Sequence, residues 1–233
     1  MDESFISSGK GEGDKIRVQI TRVLSSIFLA RAREITPGGY CPSGERDGAI
    51  KKVVDIWLSD TDKYIFLDQY SNPDNIRAHM ETTGREFWDQ TDGSITTLVL
   101  GVGAGCTIIG TAKYLKSQNS DIQVIAVKPQ MGHHVQDVLN YDESLKPIVF
   151  KDNEDLVDGW VEVSDNEASN ESANLWQRGF KVGTSSGLNY AAARKIARSS
   201  ENAQVGTLFP DSYLNSQQII KHYMATGEIS DAS

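Results

Sequence analysis

From Leu98 to Thr107 the chain reads Leu-Val-Leu-Gly-Val-Gly-Ala-Gly-Cys-Thr, an apolar strand that passes through glycines 101, 103 and 105 into a helical pattern. Alternate glycines remove side chains where backbone N–H groups must converge, and the N-terminus of the following helix favours an anion. That is the physics of a phosphate cradle. The plainer alternative is a tight strand-to-helix turn with close packing, and the spacing leaves both open. A dinucleotide fits poorly, because a Rossmann NAD site also wants an acidic residue about 20 positions on. Here the next strand, IQVIAV, runs into Lys128-Pro129. No Gly-Lys-Ser/Thr follows the glycines either, so the P-loop pattern is absent. A small phosphorylated cofactor held by its phosphate suits the loop better than NAD or ATP.

The loop sits in a regular rhythm. Ile76–Gln90 reads as a helix interrupted near Gly84, Ile95–Leu100 as a buried strand, Thr107–Lys116 as a helix and Ile122–Val127 as a strand. Ser164 and Glu167 form a capping box that opens a helix to about Arg178. Phe180–Gly183 is strand-like, Leu188–Arg198 helical, Val205–Phe209 a strand and Gln217–Met224 a last helix. This alternation predicts an α/β fold, a mainly parallel sheet with helices on both faces. Upstream, the first fifteen residues read as a frayed tail, Ile16–Arg33 as an amphipathic helix, Ile50–Trp57 as a second helix and Tyr64–Leu67 as a short strand. Residues 130–159, rich in Asp, Glu, Lys and Pro, leave the rhythm. Such an excursion is either a loop over the site or a surface insertion.

Composition narrows the partners. With glycine counted and tyrosine left out, roughly 44% of the residues are apolar, just under the globular norm, so whole-chain disorder is not expected. The net charge of −9 argues against nucleic acid or an anionic membrane as the main partner. No apolar run approaches the roughly 20 residues that span a bilayer, and the N-terminus lacks an apolar signal core; the expected setting is cytoplasmic. Cys41 and Cys106 stand far apart with no CxxC, and His79, His133, His134 and His222 have no companions at metal spacing. No metal site is expected.

Further motifs join the glycine loop in order. Gln69-Tyr-Ser-Asn-Pro-Asp-Asn75 is followed by His79-Met-Glu-Thr-Thr-Gly84, then Gly103-Ala-Gly-Cys-Thr107, Ser185-Ser-Gly187 and Pro210-Asp-Ser212. On these five motifs, over about residues 35–220, the sequence resembles the cysteine synthase and cystathionine β-synthase family. These are fold-type II pyridoxal-phosphate enzymes with a tryptophan synthase β-like fold. The resemblance implies that Gly103, Ala104, Gly105, Cys106 and Thr107 hold the cofactor phosphate, and that Ser212 bonds the pyridine nitrogen. It implies that Gln69 contacts the substrate carboxylate with Tyr70 beside it, and that Gly183 and Ser185 line the site near the substrate amino group. A neutral serine at the ring nitrogen suits β-elimination and β-replacement.

The sequence also departs from that pattern. Ala104 and Cys106 replace a threonine and a glycine of the family loop. The lost hydroxyl removes a phosphate hydrogen bond worth about 1.5–3 kcal/mol, and Cys106 either turns its sulfur aside or narrows the cradle. Tyr213-Leu-Asn-Ser216 follows Pro-Asp-Ser without the Gly-Glu-Arg frequent in cysteine synthases, which is closer to cystathionine β-synthase. Most consequential, neither the family's Ser-x-Lys-Asp-Arg stretch, whose lysine carries the cofactor covalently, nor its Thr-Ser-Gly-Asn-Thr-Gly stretch, which binds the substrate carboxylate, occurs in the 233 residues. Lys113 and Lys116 are expected to face solvent.

The reading is therefore an N-terminally truncated member. Residues 1–70 would be a remnant of the smaller domain, and residues 71–233 the larger domain that binds the cofactor phosphate. Bound pyridoxal phosphate is expected to be weakened and not covalent, and the chain to form a dimer or pair with a complementing chain. Three functions follow: a cysteine synthase-like enzyme, incomplete or inactive alone, making cysteine from a serine ester and sulfide; a non-catalytic module keeping the phosphate pocket or oligomer surface; or an unrelated nucleotide-binding α/β domain.

Overall fold

The run Leu98-Val99-Leu100 is apolar without alternation because both faces of its strand are covered. In the computed structural model, which describes residues 5–7, 15–19, 54–135, 137–142, 146–214 and 216–229, Leu98 and Leu100 pack into one apolar cluster and Val99 into another. Burying each such side chain stabilises the fold by about 1.5–3 kcal/mol. The strand is β3 (Thr97–Gly101), and the others are β1 (Phe5–Ser7), β2 (Lys15–Gln19), β4 (Gln123–Pro129), β5 (Gly159–Val163) and β6 (Val205–Leu208). Their order in the sheet is β1-β2-β6-β3-β4-β5. All neighbours run parallel except β1 and β2, so the α/β class with a mainly parallel sheet holds.

Helices cover both faces. On the side of Leu98 and Leu100 lies α4 (Cys106–Gln118), which buries Ile108, Ile109, Ala112 and Leu115. Behind it pack α2 (Pro73–His79), a π-helical turn (Met80–Gly84) and α3 (Arg85–Gln90). On the side of Val99 lie α6 (Asp165–Gln177) and α7 (Thr184–Ser199), with α8 (Gln217–Thr226) against α6. The expected capping box opens α6: the Glu167 carboxylate accepts from the Ser164 amide at 2.9 Å, and Ser164 Oγ accepts from the Glu167 amide at 3.3 Å. A short α1 covers 54–59, and α5 covers Ile148–Lys151.

Two details place the site. First, α2 and α4 cross at backbone contact. A Cβ on Gly110 would fall on the Ile76 carbonyl oxygen and lie 2.7 Å from His79 Cβ, and one on Gly84 would lie 2.6 Å from Tyr114 Cβ. The interruption expected near Gly84 is the π-turn, which keeps the helix running. Second, β3 and β6 pair only at Thr97–Val205 and Leu98–Gly206, and then part. Asn189 of α7 spans the gap: its Oδ1 accepts from the Gly101 amide at 2.6 Å and its Nδ2 donates to the Leu208 carbonyl at 3.0 Å. Parting strands leave a crevice at their carboxyl ends, where parallel sheets bind ligands.

Several expectations change. Lys15–Gln19 is a strand paired with β6, not the opening of a helix; Lys-Ile-Arg-Val-Gln alternates with period two, and short apolar runs suit either state. The remainder of that expected helix and most of the tail lie outside the described residues. Tyr64–Leu67 is not a strand, and Ile65 is 87% exposed. Phe180–Gly183 shrinks to one bridge, Val182 with Ser212. The excursion 130–159 holds α5 and a 3₁₀ turn, and β5 begins at its end.

Candidate functional site

The glycine loop joins β3 to α4 at the mouth of the crevice. Gly105 has φ +89°, which L side chains rarely adopt, and forms the N-cap of α4 with no side chain capping the helix. The first-turn amides of a helix have no intrahelical acceptor, so those of α4 are left for a ligand or water. The packing reading of the glycines holds, and it leaves the inner side of the loop open. On the outer side, a Cβ at Gly103 would meet the Asp137 carbonyl at 2.7 Å, and one at Gly105 would meet Phe150 at 2.8 Å. On the inner side, the loop lines a cleft of about 310 Å³.

The cleft is also lined by Gln69, Asn75, His79, Ser185, Asn189 and Asp211. Gln69, at the exposed rim, brings its carbonyl toward Cys106, whose thiol donates to it at 3.4 Å. Cys106 is 2% exposed, and burial pushes its thiol up to about 11. Of the two alternatives for this residue, the sulfur turns aside and remains a thiol. Thr107 Oγ1 lies 3.1 Å from His79 Nε2, and His79 Nδ1 lies 3.0 Å from Thr83 Oγ1. Burial lowers the His79 pKa, which keeps the ring neutral with one donor and one acceptor nitrogen. With the proton on Nε2, the imidazole donates to Thr107 and frees that hydroxyl to donate to an anion, while Thr83 donates to Nδ1. His79 is thus a structural histidine that also orients a loop hydroxyl.

The remaining expected residues separate. Ser185 lines the cleft, 1% exposed, its Oγ without a completed hydrogen bond although it leans toward Asp211. Gly183 leaves room for Asp211, since a Cβ there would overlap the Asp211 carboxylate. Tyr70 is half-buried behind the rim and outside the cleft lining. Ser212 is exposed and also outside it, its backbone paired with Val182. The residue at the end of β6 that faces the cleft is Asp211. Its Oδ1 accepts from Ser186 Oγ at 2.6 Å. Burial raises its pKa, the hydrogen bonds from Ser186 and Ser185 oppose that, and the charge of Asp137 adds to it.

Sequence reasoning named Asp211 only as part of a motif and did not weigh Asn189 or Asp137. Asn189 carried a readable signal: it is a polar residue on a stretch of α7 that is otherwise buried and apolar, Leu188 to Ala193. No lysine is among the described residues of the cleft. Lys116 pairs with Asp158 at 2.8 Å instead of facing solvent alone, and Lys113 is half-buried elsewhere on α4. Among the described residues no three His, Cys, Asp or Glu gather as a metal site, and no helix is long and apolar enough to cross a membrane.

Comparison with known proteins agrees with the fold. The family model described as pyridoxal-phosphate dependent enzyme matches residues 30–211, the stretch that includes the whole cleft. A cysteine synthase of Aquifex aeolicus is 39% identical over 171 residues, 71% of this chain and 52% of that protein. Cysteine synthase A of Escherichia coli is 34% identical over 182 residues, 71% of this chain and 56% of that protein. A crystal structure of an O-acetylserine dependent cystathionine β-synthase from Helicobacter pylori superposes with TM-score 0.66 at 31% identity, over 80% of this chain and 61% of that one. The chain thus spans about half the length of the curated relatives it matches. An unrelated nucleotide-binding domain is set aside, and the chain belongs to the pyridoxal-phosphate dependent enzymes, in the cysteine synthase and cystathionine β-synthase group.

Proposed function

We propose that this chain is a cysteine synthase-like protein that holds pyridoxal phosphate by its phosphate alone, and that its 233 residues do not by themselves carry out β-replacement. The observation that carries this is a cleft combining the uncapped N-terminus of α4 with a lining that, among the described residues, has no lysine. The residues fit the phosphate end of the cofactor. The amides of Gly103–Thr107 and the Thr107 hydroxyl would hold it, with His79 fixing the hydroxyl's direction. When bound, the cofactor supplies a ring that stabilises negative charge at the α-carbon of an amino acid. The reaction of this reading is replacement at the β-carbon of O-acetylserine or a related serine ester: the Cβ–O bond breaks, the acyl group leaves as its carboxylate (acetate from O-acetylserine), hydrosulfide forms the Cβ–S bond, and cysteine results.

Within the cleft, Gln69 at the rim and Ser185 at the start of α7 are the groups proposed to meet the amino-acid substrate. Asp211, not Ser212, is the group nearest the end of β6 on the cleft side, which puts the proposed role of Ser212 at the ring nitrogen in competition with a carboxylate. The nucleophilic lysine such chemistry needs, held close to the cofactor and partly deprotonated, has no counterpart among the described residues of the cleft lining. Without it the retained loop orients a phosphate and leaves the substrate unpositioned, and orientation supplies several kcal/mol of rate. The same proposal divides the chain at about residue 70 into a smaller-domain part and the phosphate-binding domain, in a cytoplasmic setting. It includes association with a second copy or a complementing chain. Exposed Ile56, Leu58, Ile65 and Leu67 in 54–67 support that association, and a sharp monomeric sedimentation profile at micromolar concentration would count against it. The second reading, a non-catalytic module, rests on the same absence of lysine among the described cleft residues and differs in keeping no role in the pathway.

The test is thermal unfolding with added phosphate or pyridoxal phosphate. A ligand at a hundred times its Kd adds about 2.7 kcal/mol of stability by mass action. Gly105→Asp places a negative charge beside the anion and is expected to abolish the response; Thr107→Val, which leaves Gly105 in place, is expected to reduce it. An unchanged response in both variants locates binding elsewhere. Borohydride reduction and peptide mapping complete the test: one stoichiometric pyridoxyl-lysine at a single position, with cysteine formed from O-acetylserine and sulfide, overturns the proposal.

A further inference from the structure

Asp137 and Val138 line the cleft, but the contacts of Leu139, Tyr141 and Phe150 fall on the outer side of the glycine loop. The Leu139 amide donates to the Val102 carbonyl at 2.8 Å, and the Tyr141 hydroxyl donates to the Gly103 carbonyl at 2.7 Å. The Phe150 ring fills the space behind Gly105. In a trans peptide the carbonyl and the N–H point in opposite directions. Pinning the carbonyls of Val102 and Gly103 outward therefore aims the amides of Gly103 and Ala104 toward the cleft.

The pins are themselves fixed. Tyr141 and Phe150 are buried and meet edge-on with ring centroids 4.9 Å apart, and Trp160 of β5 touches both, at 6.0 and 5.8 Å. Asn140 ties the turn to the end of β4: its Nδ2 donates to the Pro129 carbonyl at 2.8 Å and its Oδ1 accepts from the Asp142 amide at 2.9 Å. We infer that Tyr141 and Phe150 are positioning residues of the anion cradle, an aromatic brace that orients the loop amides from behind. This rests on the reading of the loop as an anion cradle. It assigns the acidic excursion a job: it carries the brace from the end of β4 to β5. The inward amides are what a phosphate or another small anion would meet, so the brace sets affinity without touching the ligand.

The experiment uses the full chain labelled with ¹⁵N and inorganic phosphate as the probe. Tyr141→Phe removes one hydroxyl and keeps the ring contacts. In the wild type, the order parameters of the Gly103–Gly105 amides are expected near the rigid value of about 0.85, and in the variant to fall toward about 0.6, with those of α6 and α7 unchanged. Phosphate affinity should drop about fivefold to tenfold, the loss expected for one hydrogen bond. Phe150→Leu, which removes the ring behind Gly105 and keeps a buried apolar side chain, reads the same amides should Tyr141→Phe fail to fold. Unchanged loop order parameters overturn the inference whatever the affinity does. A fall in order parameters in a protein whose wild type shows no phosphate response supports the brace and refutes the cradle.

Discussion

Asn189→Ala is expected to be among the costliest single substitutions around the cleft, because one side chain replaces a missing piece of sheet. Asn189 is 3% exposed and satisfies the Gly101 amide at 2.6 Å and the Leu208 carbonyl at 3.0 Å, where β3 and β6 have ceased to pair. Alanine strands one donor and one acceptor, at about 1–3 kcal/mol each. Both groups border the cleft, so water reaches them in part, and the lower half of the summed range applies, about 2–4 kcal/mol. In a chain of this size each kcal/mol moves Tm by about 2–4 °C, so a drop of about 4–16 °C should appear. Thermal scans followed by circular dichroism measure that drop, and urea unfolding measures the free-energy loss, with the slope against denaturant unchanged. Asn189→Asp is the control: it keeps the acceptor for Gly101 but turns a carboxylate oxygen on the Leu208 carbonyl. It should lose at least as much at neutral pH and recover on acidification, when the protonated carboxyl can donate. A loss below about 1 kcal/mol for Asn189→Ala, or an Asp variant indifferent to pH, would refute the bridging argument.

Two further outcomes follow from buried groups. Asp211 has its pKa raised above 3.8 by burial, so the folded state binds its proton more tightly than the unfolded one and wild-type stability falls as pH rises through the folded pKa. Asp211→Asn, which keeps an acceptor for Ser186, should be more stable than wild type at pH 7, with the gap closing toward pH 4 in thermal scans; a gap that widens on acidification contradicts this. Cys106, pushed up to about 11 and bonded to the Gln69 carbonyl, should alkylate far more slowly at pH 8 than an ordinary exposed thiol. Peptide-resolved iodoacetamide labelling reads it, and rapid modification would place the sulfur in the cleft.

What could be read from the sequence was what depends on neighbours along the chain. The apolar run of β3, the glycines before α4 and the Ser164–Glu167 box are each complete within a few residues, and each formed as expected. What could not be read depends on pairing across the chain. Tyr64–Leu67 has the composition of a strand, yet no described strand pairs with it, while Gly159–Val163 (Gly-Trp-Val-Glu-Val) alternates only in its burial and was hidden at the end of an acidic excursion. The choice between Asp211 and Ser212 has the same origin. Successive residues of an extended segment face opposite ways, so only one of the two reaches the cleft, and the bridge between Ser212 and Val182 selects Asp211. The brace was invisible for a related reason: Tyr141 and Phe150 are nine residues apart and meet Trp160 only because β5 lies beside β4.

The bare crossing of α2 and α4 at Gly110 acts as a depth stop. With no side chain at 110, the carbonyl of Ile76 and the Cβ of His79 rest almost on the α4 backbone, and it is that contact which lets the imidazole reach Thr107, one turn earlier. Even a methyl group there would hold the helices apart and shift the imidazole away from the hydroxyl it orients. A substitution that looks conservative, at a core position no ligand touches, would thus be felt at the anion site. In this fold, tolerance to change near the loop is governed less by distance from the cleft than by which helix spacing a residue sets.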